Sequence, residues 1–461
     1  MRDATDRLLP PTPARSLDDH LASSGGQGLE RALGMEPDEV TDLIDASGLR
    51  GRGGAGFPTA KKWRGVRETA EHAGGRLSLV ANAAEGEPGT YKDRLLIEQQ
   101  PYAFLEGICI ALHATGAEQA YIGIKDRFTT QVERLRGALD DVISAGWSGA
   151  ERIEIVTGPD LYLFGEETGM LEVIEGKLPM PRIVKPFEAG LNATTTVPNP
   201  TIVNNVETLS HVGRIVAHGP DWFREAGTEA TPGTMLFTVV GDVGNPGVYE
   251  LTLGTPLRTL LEDIAGATDI KAVYSGVSTA VITPDHLDVP LCFDAMQEAG
   301  VGLGSGGFIV YDESRSIVDV LSVLVNFLAV ESCGQCNACK LGNMEMSDVL
   351  KAAQRAEATQ TDLERMLKRN QTVTDQNRCY LPVGAQLVVG STVQAFADEF
   401  AGTVERGETT PADLPTPLIE HIDEDSGEVT YHPRYPLKQS DWSYADVDPI
   451  DERRDALRDD S

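Results

Sequence analysis

Glu331-Ser332-Cys333-Gly334-Gln335-Cys336-Asn337-Ala338-Cys339-Lys340-Leu341-Gly342 is the densest chemical signal in the chain. Three of the six cysteines fall within seven residues as C-x2-C-x2-C, and a fourth, Cys379, lies forty residues beyond Cys339. Three closely spaced thiols can cap three corners of a cubane while a distant one closes the fourth, the spacing of a 4Fe–4S site. Structural zinc more often takes two separated pairs of ligands, and no histidine stands near these cysteines. Disulfides or redox thiols are the third reading, but a chain of this size without a signal peptide points to a reducing compartment. The flanks set the local fold. Ser316 to Val330, Glu345 to Ala356, Thr361 to Lys368 and Leu387 to Phe400 carry helical periodicity, so a helical bundle holding the cysteines is expected over residues 316–402.

Working outward, Met235 to Val240, Gly247 to Leu251, a helix near Pro256 to Ala265, Ala272 to Tyr274 and Gly307 to Val310 read as β-β-α-β-β. A small β-grasp-like domain of the SLBB kind is expected over 232–315, with Cys292 as a packing thiol. Further upstream, short apolar strands at Leu77 to Ala81, Gln119 to Ile124 and Ile153 to Thr157 alternate with helical stretches, giving an α/β domain over 31–231. Within it, Gly51, Gly53 and Gly56 satisfy G-x-G-x-x-G, which brings backbone N–H groups close to a phosphate. They follow a helix, however, and not the strand of a dinucleotide fingerprint, so a plain glycine loop stays open. Glu166 and Glu167 open a helix and read equally as N-terminal caps, as does Asn204-Asn205 after the strand at Thr201 to Val203. Residues 1–30 read as a loose arm and 403–461 as an acidic, proline-bearing tail.

Lysine and arginine total 39 against 71 acidic residues, a net charge of −32. Such a field excludes nucleic acid and anionic membrane as partners. Spread along the whole chain, it suits a surface adapted to high salt. The longest apolar run, Val320 to Val330, is roughly half a membrane span and contains Asn326, so no membrane insertion is expected and a cytoplasmic location is.

Five stretches in order resemble the family of NADH-oxidising flavoprotein subunits of respiratory complex I, also found in NAD-linked hydrogenases and formate dehydrogenases. They are Gly51-Arg52-Gly53-Gly54-Ala55-Gly56-Phe57-Pro58-Thr59, Glu85-Gly86-Glu87-Pro88-Gly89-Thr90, Gly165-Glu166-Glu167-Thr168, Asn204-Asn205-Val206-Glu207-Thr208 and Glu331-Ser332-Cys333-Gly334-Gln335-Cys336. The resemblance spans about residues 36–400. It implies a Rossmann-like FMN- and NADH-binding domain, the β-grasp-like module and a helical bundle with one 4Fe–4S cluster. By resemblance, Gly51, Gly53, Lys62, Asn82, Glu85, Asn204, Asn205 and Thr208 hold FMN, with Gly165 in the same wall. Phe57, Glu87, Tyr162, Glu166, Glu167 and Phe187 line the NADH site, and Cys333, Cys336, Cys339 and Cys379 ligate the cluster. No catalytic side chain is implied, because hydride passes directly between nicotinamide and flavin.

The departures from the family bear on the nucleotide. Ala84 stands where the family usually has aspartate, Gly65 where it often has an adenine-stacking aromatic, and Val184-Lys185-Pro186-Phe187 displaces a lysine by one position. Near the cluster, Ala338 and Lys340 replace proline and arginine. Two further readings follow: an FMN and 4Fe–4S electron relay with lost or altered NADH binding, and a non-enzymatic scaffold held by zinc. The resemblance also implies a hetero-oligomer. A small thioredoxin-like 2Fe–2S subunit and further redox subunits would then attach the chain peripherally to the inner face of a membrane.

Overall fold

Leu79, Val80 and Ala81 offer no polar face, which suits a strand covered on both sides. In the computed structural model, which describes residues 7–407, 413–423 and 426–446, they lie in β1 (Ser78–Ala83). Strands β2 (Gln119–Lys125), β3 (Ile153–Gly158) and β4 (Thr201–Asn205) complete an all-parallel sheet in the order β3-β2-β1-β4. The chain steps outward from β1 to β3 and then returns to the far side of β1. That reversal opens a crevice beyond the carboxyl ends of β1 and β4, where Asn82 is in register with Asn205.

Nine helices flank this sheet among the described residues: α1 (Leu17–Ala22), α2 (Gln27–Leu33), α3 (Pro37–Ser47), α4 (Thr59–Ala73), α5 (Lys92–Gln99), α6 (Pro101–Thr115), α7 (Thr129–Ser144), α8 (Glu167–Ile174) and α9 (Val206–His218). Pro101 starts α6 at a position needing no N–H, and Gly116 stops it at φ +71°. Between them Phe104, Leu105, Ile108 and Ile110 are fully buried. Each such side chain contributes about 1.5–3 kcal/mol. Cys109 is buried beside them, a packing thiol.

Residues 7–30 correct the expectation of a loose arm; residues 1–6 lie outside the described residues. Ser16 and Asp19 form a capping box on α1. Buried Glu106 accepts from Gly26 N and Leu29 N, both at 3.0 Å, and lies 3.1 Å from His20 Nε2. Polar composition suggested disorder; one buried carboxylate supplies the partners that hold the segment down.

After α10 (Pro220–Arg224) comes the second sheet: β5 (Thr234–Gly241), β6 (Gly247–Thr252), β7 (Ile270–Tyr274) and β8 (Gly307–Asp312), ordered β6-β5-β8-β7. Only β5 and β8 run parallel. A π-helical turn at Thr259–Ile264 and α11 (Phe293–Glu298) close its core over Phe237, Leu260 and Phe308.

The bundle is α12 (Ile317–Glu331), α13 (Asn337–Gln354), α14 (Gln360–Thr372), α15 (Leu381–Ala395) and α16 (Ala397–Arg406). The last of these runs past residue 402, where the tail was expected to begin. Beyond it, β9 (Ile419–Ile422) and β10 (Val429–Tyr431) pair as a hairpin, and Ile419, Ile422 and Tyr435 join the buried cluster that contains α12. Much of the expected tail is therefore core-bound; residues 408–412, 424–425 and 447–461 of it lie outside the described residues. Among the described residues no helix is long and apolar enough to cross a membrane.

Candidate functional site

The crevice is built from the ends of β1 and β4 and the turn before α8. Asn205 caps α9, its Oδ1 accepting from Glu207 N (2.9 Å) and Thr208 N (3.4 Å). Its Nδ2 donates to Asp93 Oδ2 at 2.6 Å. Asn204 Oδ1 accepts from Trp63 Nε1 (2.8 Å), and Thr208 Oγ1 accepts from Arg52 N (2.8 Å). Asn82 Nδ2 donates to Gly165 O at 2.7 Å, tying β1 to the turn before α8. Lys62 lies at the crevice edge, its Nζ donating to Glu167 Oε1 (2.9 Å) and Val203 O (3.0 Å). Glu166 is the N-cap of α8, accepting from Thr168 N (2.9 Å) and Gly169 N (2.8 Å), and burial pushes its carboxyl up.

Under the crevice lies a buried charge network. Lys92 Nζ sits 2.8 Å from both Asp93 Oδ1 and Glu207 Oε2, with all three side chains sealed from solvent or nearly so. Glu85 accepts from Asp93 N (3.1 Å), Arg94 N (3.3 Å) and Arg94 Nε (3.1 Å), so it caps α5. Burial, then the neighbouring Asp93, push its carboxyl up. Arg52 is fully buried, donating to the carbonyls of Thr234 (3.2 Å) and Pro232 (3.0 Å), and burial lowers its guanidinium to about 10.

The glycine loop lies against Asn205 on one side and against the second domain's Phe293 on the other. A Cβ on Gly53 would stand 3.1 Å from Asn205 Cβ, and one on Gly56, at φ +59°, would stand 2.7 Å from the Phe293 ring. Backbone alone fits there. A glycine-edged crevice with three asparagine amides on its floor and an ammonium at its rim fits a flavin mononucleotide.

Glu87 is half-buried and stands apart from Glu85. Its Oε1 accepts from Val277 N (2.7 Å) and its Oε2 from the Tyr162 hydroxyl (2.6 Å); burial pushes its carboxyl up. Phe57 and Phe187, expected beside it at the nucleotide, are 45% and 47% exposed.

The structure brings Cys333, Cys336, Cys339 and Cys379 to one cavity, whose other walls include Leu163, Pro181, Leu381 and Pro382. Gly334 at φ +80° turns the loop between the first two thiols. Among the described residues no group of three or more His, Cys, Asp or Glu is set to hold a single metal ion. Four thiols around a shared apolar space suit a multi-iron cluster better than zinc. Burial raises the Cys339 thiol to about 11 and the Cys379 thiol to about 12, so cluster binding displaces protons there. Ser332 Oγ lies 3.2 Å from Cys339 Sγ, Asn343 Nδ2 donates to the same sulfur (3.6 Å) and Gln335 Nε2 to Cys333 Sγ (3.6 Å). Such donors tune a cluster's potential.

Residues 44–214 match the family model described as the Nuo51 FMN-binding domain, 236–279 the SLBB domain, and 319–403 the NADH-ubiquinone oxidoreductase-F iron-sulfur binding region. An F-type subunit of NADH-quinone oxidoreductase from Rhizobium meliloti is 38% identical over 405 residues, covering 84% of this chain and 94% of that protein. The chain belongs to the Nuo51 family of NADH-quinone oxidoreductase subunits. NADP-reducing hydrogenase subunit HndC of Solidesulfovibrio fructosivorans is 33% identical over 419 residues, covering 88% of this chain and 84% of that one. A solved chain of an NAD+-reducing [NiFe]-hydrogenase in the H2-reduced state superposes with a TM-score of 0.75 at 32% identity, over 88% of this chain and 66% of that longer one. As a member of the Nuo51 family, the protein is an oxidoreductase subunit with an FMN-binding domain and an iron–sulfur region.

Sequence reading missed Lys92, Asp93, Arg94 and Arg52 as a buried network, and Lys438 altogether. The signal for the first three was present: consecutive charges at a helix start, followed by Leu95-Leu96-Ile97, leave that turn no solvent face.

Proposed function

We propose that this subunit takes hydride from NADH onto FMN and passes electrons singly through one 4Fe–4S cluster to a partner subunit of a complex I-like or related redox assembly. Bound FMN would supply the exchange between two-electron and one-electron transfer. The observation that carries the reading is the short turn Tyr162–Gly165. Its Leu163 lines the thiol cavity, while its Gly165 carbonyl holds Asn82 at the crevice. One turn of chain separates the two sites.

In this reading Gly51, Gly53, Lys62, Asn82, Asn204, Asn205 and Thr208 cradle the flavin, with Glu85 fixing the floor through α5. Glu87, Tyr162, Glu166 and Glu167 orient the nicotinamide end, and Phe57 and Phe187 flank the mouth. Cys333, Cys336, Cys339 and Cys379 hold the cluster. The domains divide at about 231 and 315. A thioredoxin-like 2Fe–2S subunit and further redox subunits would complete the assembly, placing the chain in the cytoplasm, peripheral to the inner face of a membrane.

A second reading, an electron relay with altered nucleotide binding, draws on Gly65. A Cβ there would meet nothing within 4 Å, so the helix face where the family often stacks an aromatic is bare. An anaerobic NADH titration of the cluster-reconstituted protein decides between them. Bleaching of flavin absorbance at stoichiometric NADH, followed by the paramagnetic signal of a reduced cluster, supports the dehydrogenase. Bleaching by dithionite with none by NADH or NADPH supports the relay.

A further inference from the structure

Lys438 comes from the C-terminal segment, far in sequence from the crevice. Its Nζ donates to Glu331 Oε1 at 2.6 Å and to Asp160 O at 2.8 Å. The Lys438 and Glu331 side chains are each only 2% exposed. The other oxygen of Glu331 accepts from Tyr162 N at 2.9 Å. The Tyr162 hydroxyl donates to Glu87 Oε2 at 2.6 Å, and Val277 N holds Glu87 Oε1 at 2.7 Å. One ammonium thus grips the 160–162 turn from two sides, and that turn sets one half of the Glu87 carboxylate. Packing follows the same line: the Tyr435 ring meets Phe327 at 5.7 Å, and Phe327 meets Tyr162 edge-on at 5.2 Å.

We infer that Lys438 is a positioning residue for the nucleotide site, acting on Glu87 through Glu331 and Tyr162. This rests on the proposed placement of Glu87 at NADH. The physical basis is the shortness of the route. Lysine gives Glu331 the only full charge among the contacts described above, and a buried carboxylate stripped of it is no longer held in place. Its shift loosens the acceptor that fixes Tyr162 N and, through the Tyr162 hydroxyl, the Glu87 carboxylate.

The test uses the full chain loaded with FMN and cluster, in wild type, Lys438→Met and Lys438→Arg. Two readouts are taken: backbone hydrogen exchange at Tyr162 and Val277, and steady-state reduction of a dye by NADH per bound flavin. In Lys438→Met both amides should exchange roughly tenfold faster, and KM for NADH should rise roughly tenfold with kcat changed less than about twofold. Lys438→Arg should restore both. A purely structural lysine would lower cofactor occupancy without moving KM per bound flavin, and that result overturns the proposal, as does unchanged exchange at Val277. If Lys438→Met does not fold, Glu331→Gln with Lys438→Met removes the stranded charge, and unchanged exchange in that pair is equally fatal. If exchange responds while wild type does not oxidise NADH, the positioning link stands and the dehydrogenase reading fails.

Discussion

On the flavin side, Lys92, Asp93, Glu207, Glu85 and Arg94 are buried together and satisfy one another within the protein. On the thiol side, four cysteines share an apolar cavity with only a few weak donors aimed at two of the sulfurs. The first region is finished without its ligand, whereas the second is a shell whose central contacts the ligand must supply. A crevice of this kind binds a rigid, planar cofactor with little rearrangement. A shell of this kind couples ligand insertion to folding.

The sharpest way to break the comparison is to empty the shell. Cys339→Ser, at the most buried of the four thiols, should lose essentially all cluster iron while retaining bound FMN, measured by iron and flavin content of the purified protein. Equal loss of both cofactors would show that the regions do not fold independently. Lys92→Met should be nearly as damaging on the other side. It strands two buried acids, so unfolding free energy should fall by about 3–5 kcal/mol in urea titrations, with iron content of the folded fraction unchanged.

Acid response comes next. Burial pushes Asp160 up, but Lys125, His432 and Arg127 outweigh it and hold this carboxyl far below the usual range. Its contribution is present above the ordinary carboxylate value, about 4, and is lost as pH falls toward the depressed one. The stability gap between wild type and Asp160→Asn should therefore hold from pH 7 to about pH 4 and narrow as pH falls further. Glu166, raised by burial, works with the opposite sign: its ionisation opposes folding as pH rises. Glu166→Gln should gain on wild type between pH 4 and pH 7. A parallel response of the two variants in urea titrations would refute the contrast. The smallest effect is expected from salt. With a net charge of −32, raising KCl should lift the unfolding temperature steadily, and a flat or falling response would rule out an acid surface adapted to salt.

Much of this was legible in the residues. The alternation around Leu79 and Ile122 announced the α/β sheet, and the four strands expected in the second domain are the four found, with α11 added between the last two. Asn205 and Glu166 read as helix caps and are caps, whatever else they hold. The cysteine spacing pointed to one site, and the thiols do meet. What escaped were groups whose partners lie far away. Lys92 looks like any solvated lysine until Glu207, more than a hundred residues on, is brought beneath it. The helices around His20 hide in a polar segment because their anchor is Glu106. Local pattern encodes elements, but ion pairs across hundreds of residues leave no period to read.

The β9–β10 hairpin and the segment after it carry a consequence for biogenesis. The thiols at 333–379 leave the ribosome well before residue 438, so throughout that interval the cavity exists without its Lys438 clamp. Synthesis order places the clamp among the late contacts to form. A nascent chain that stops short of residue 438 keeps Glu331 without this counter-charge.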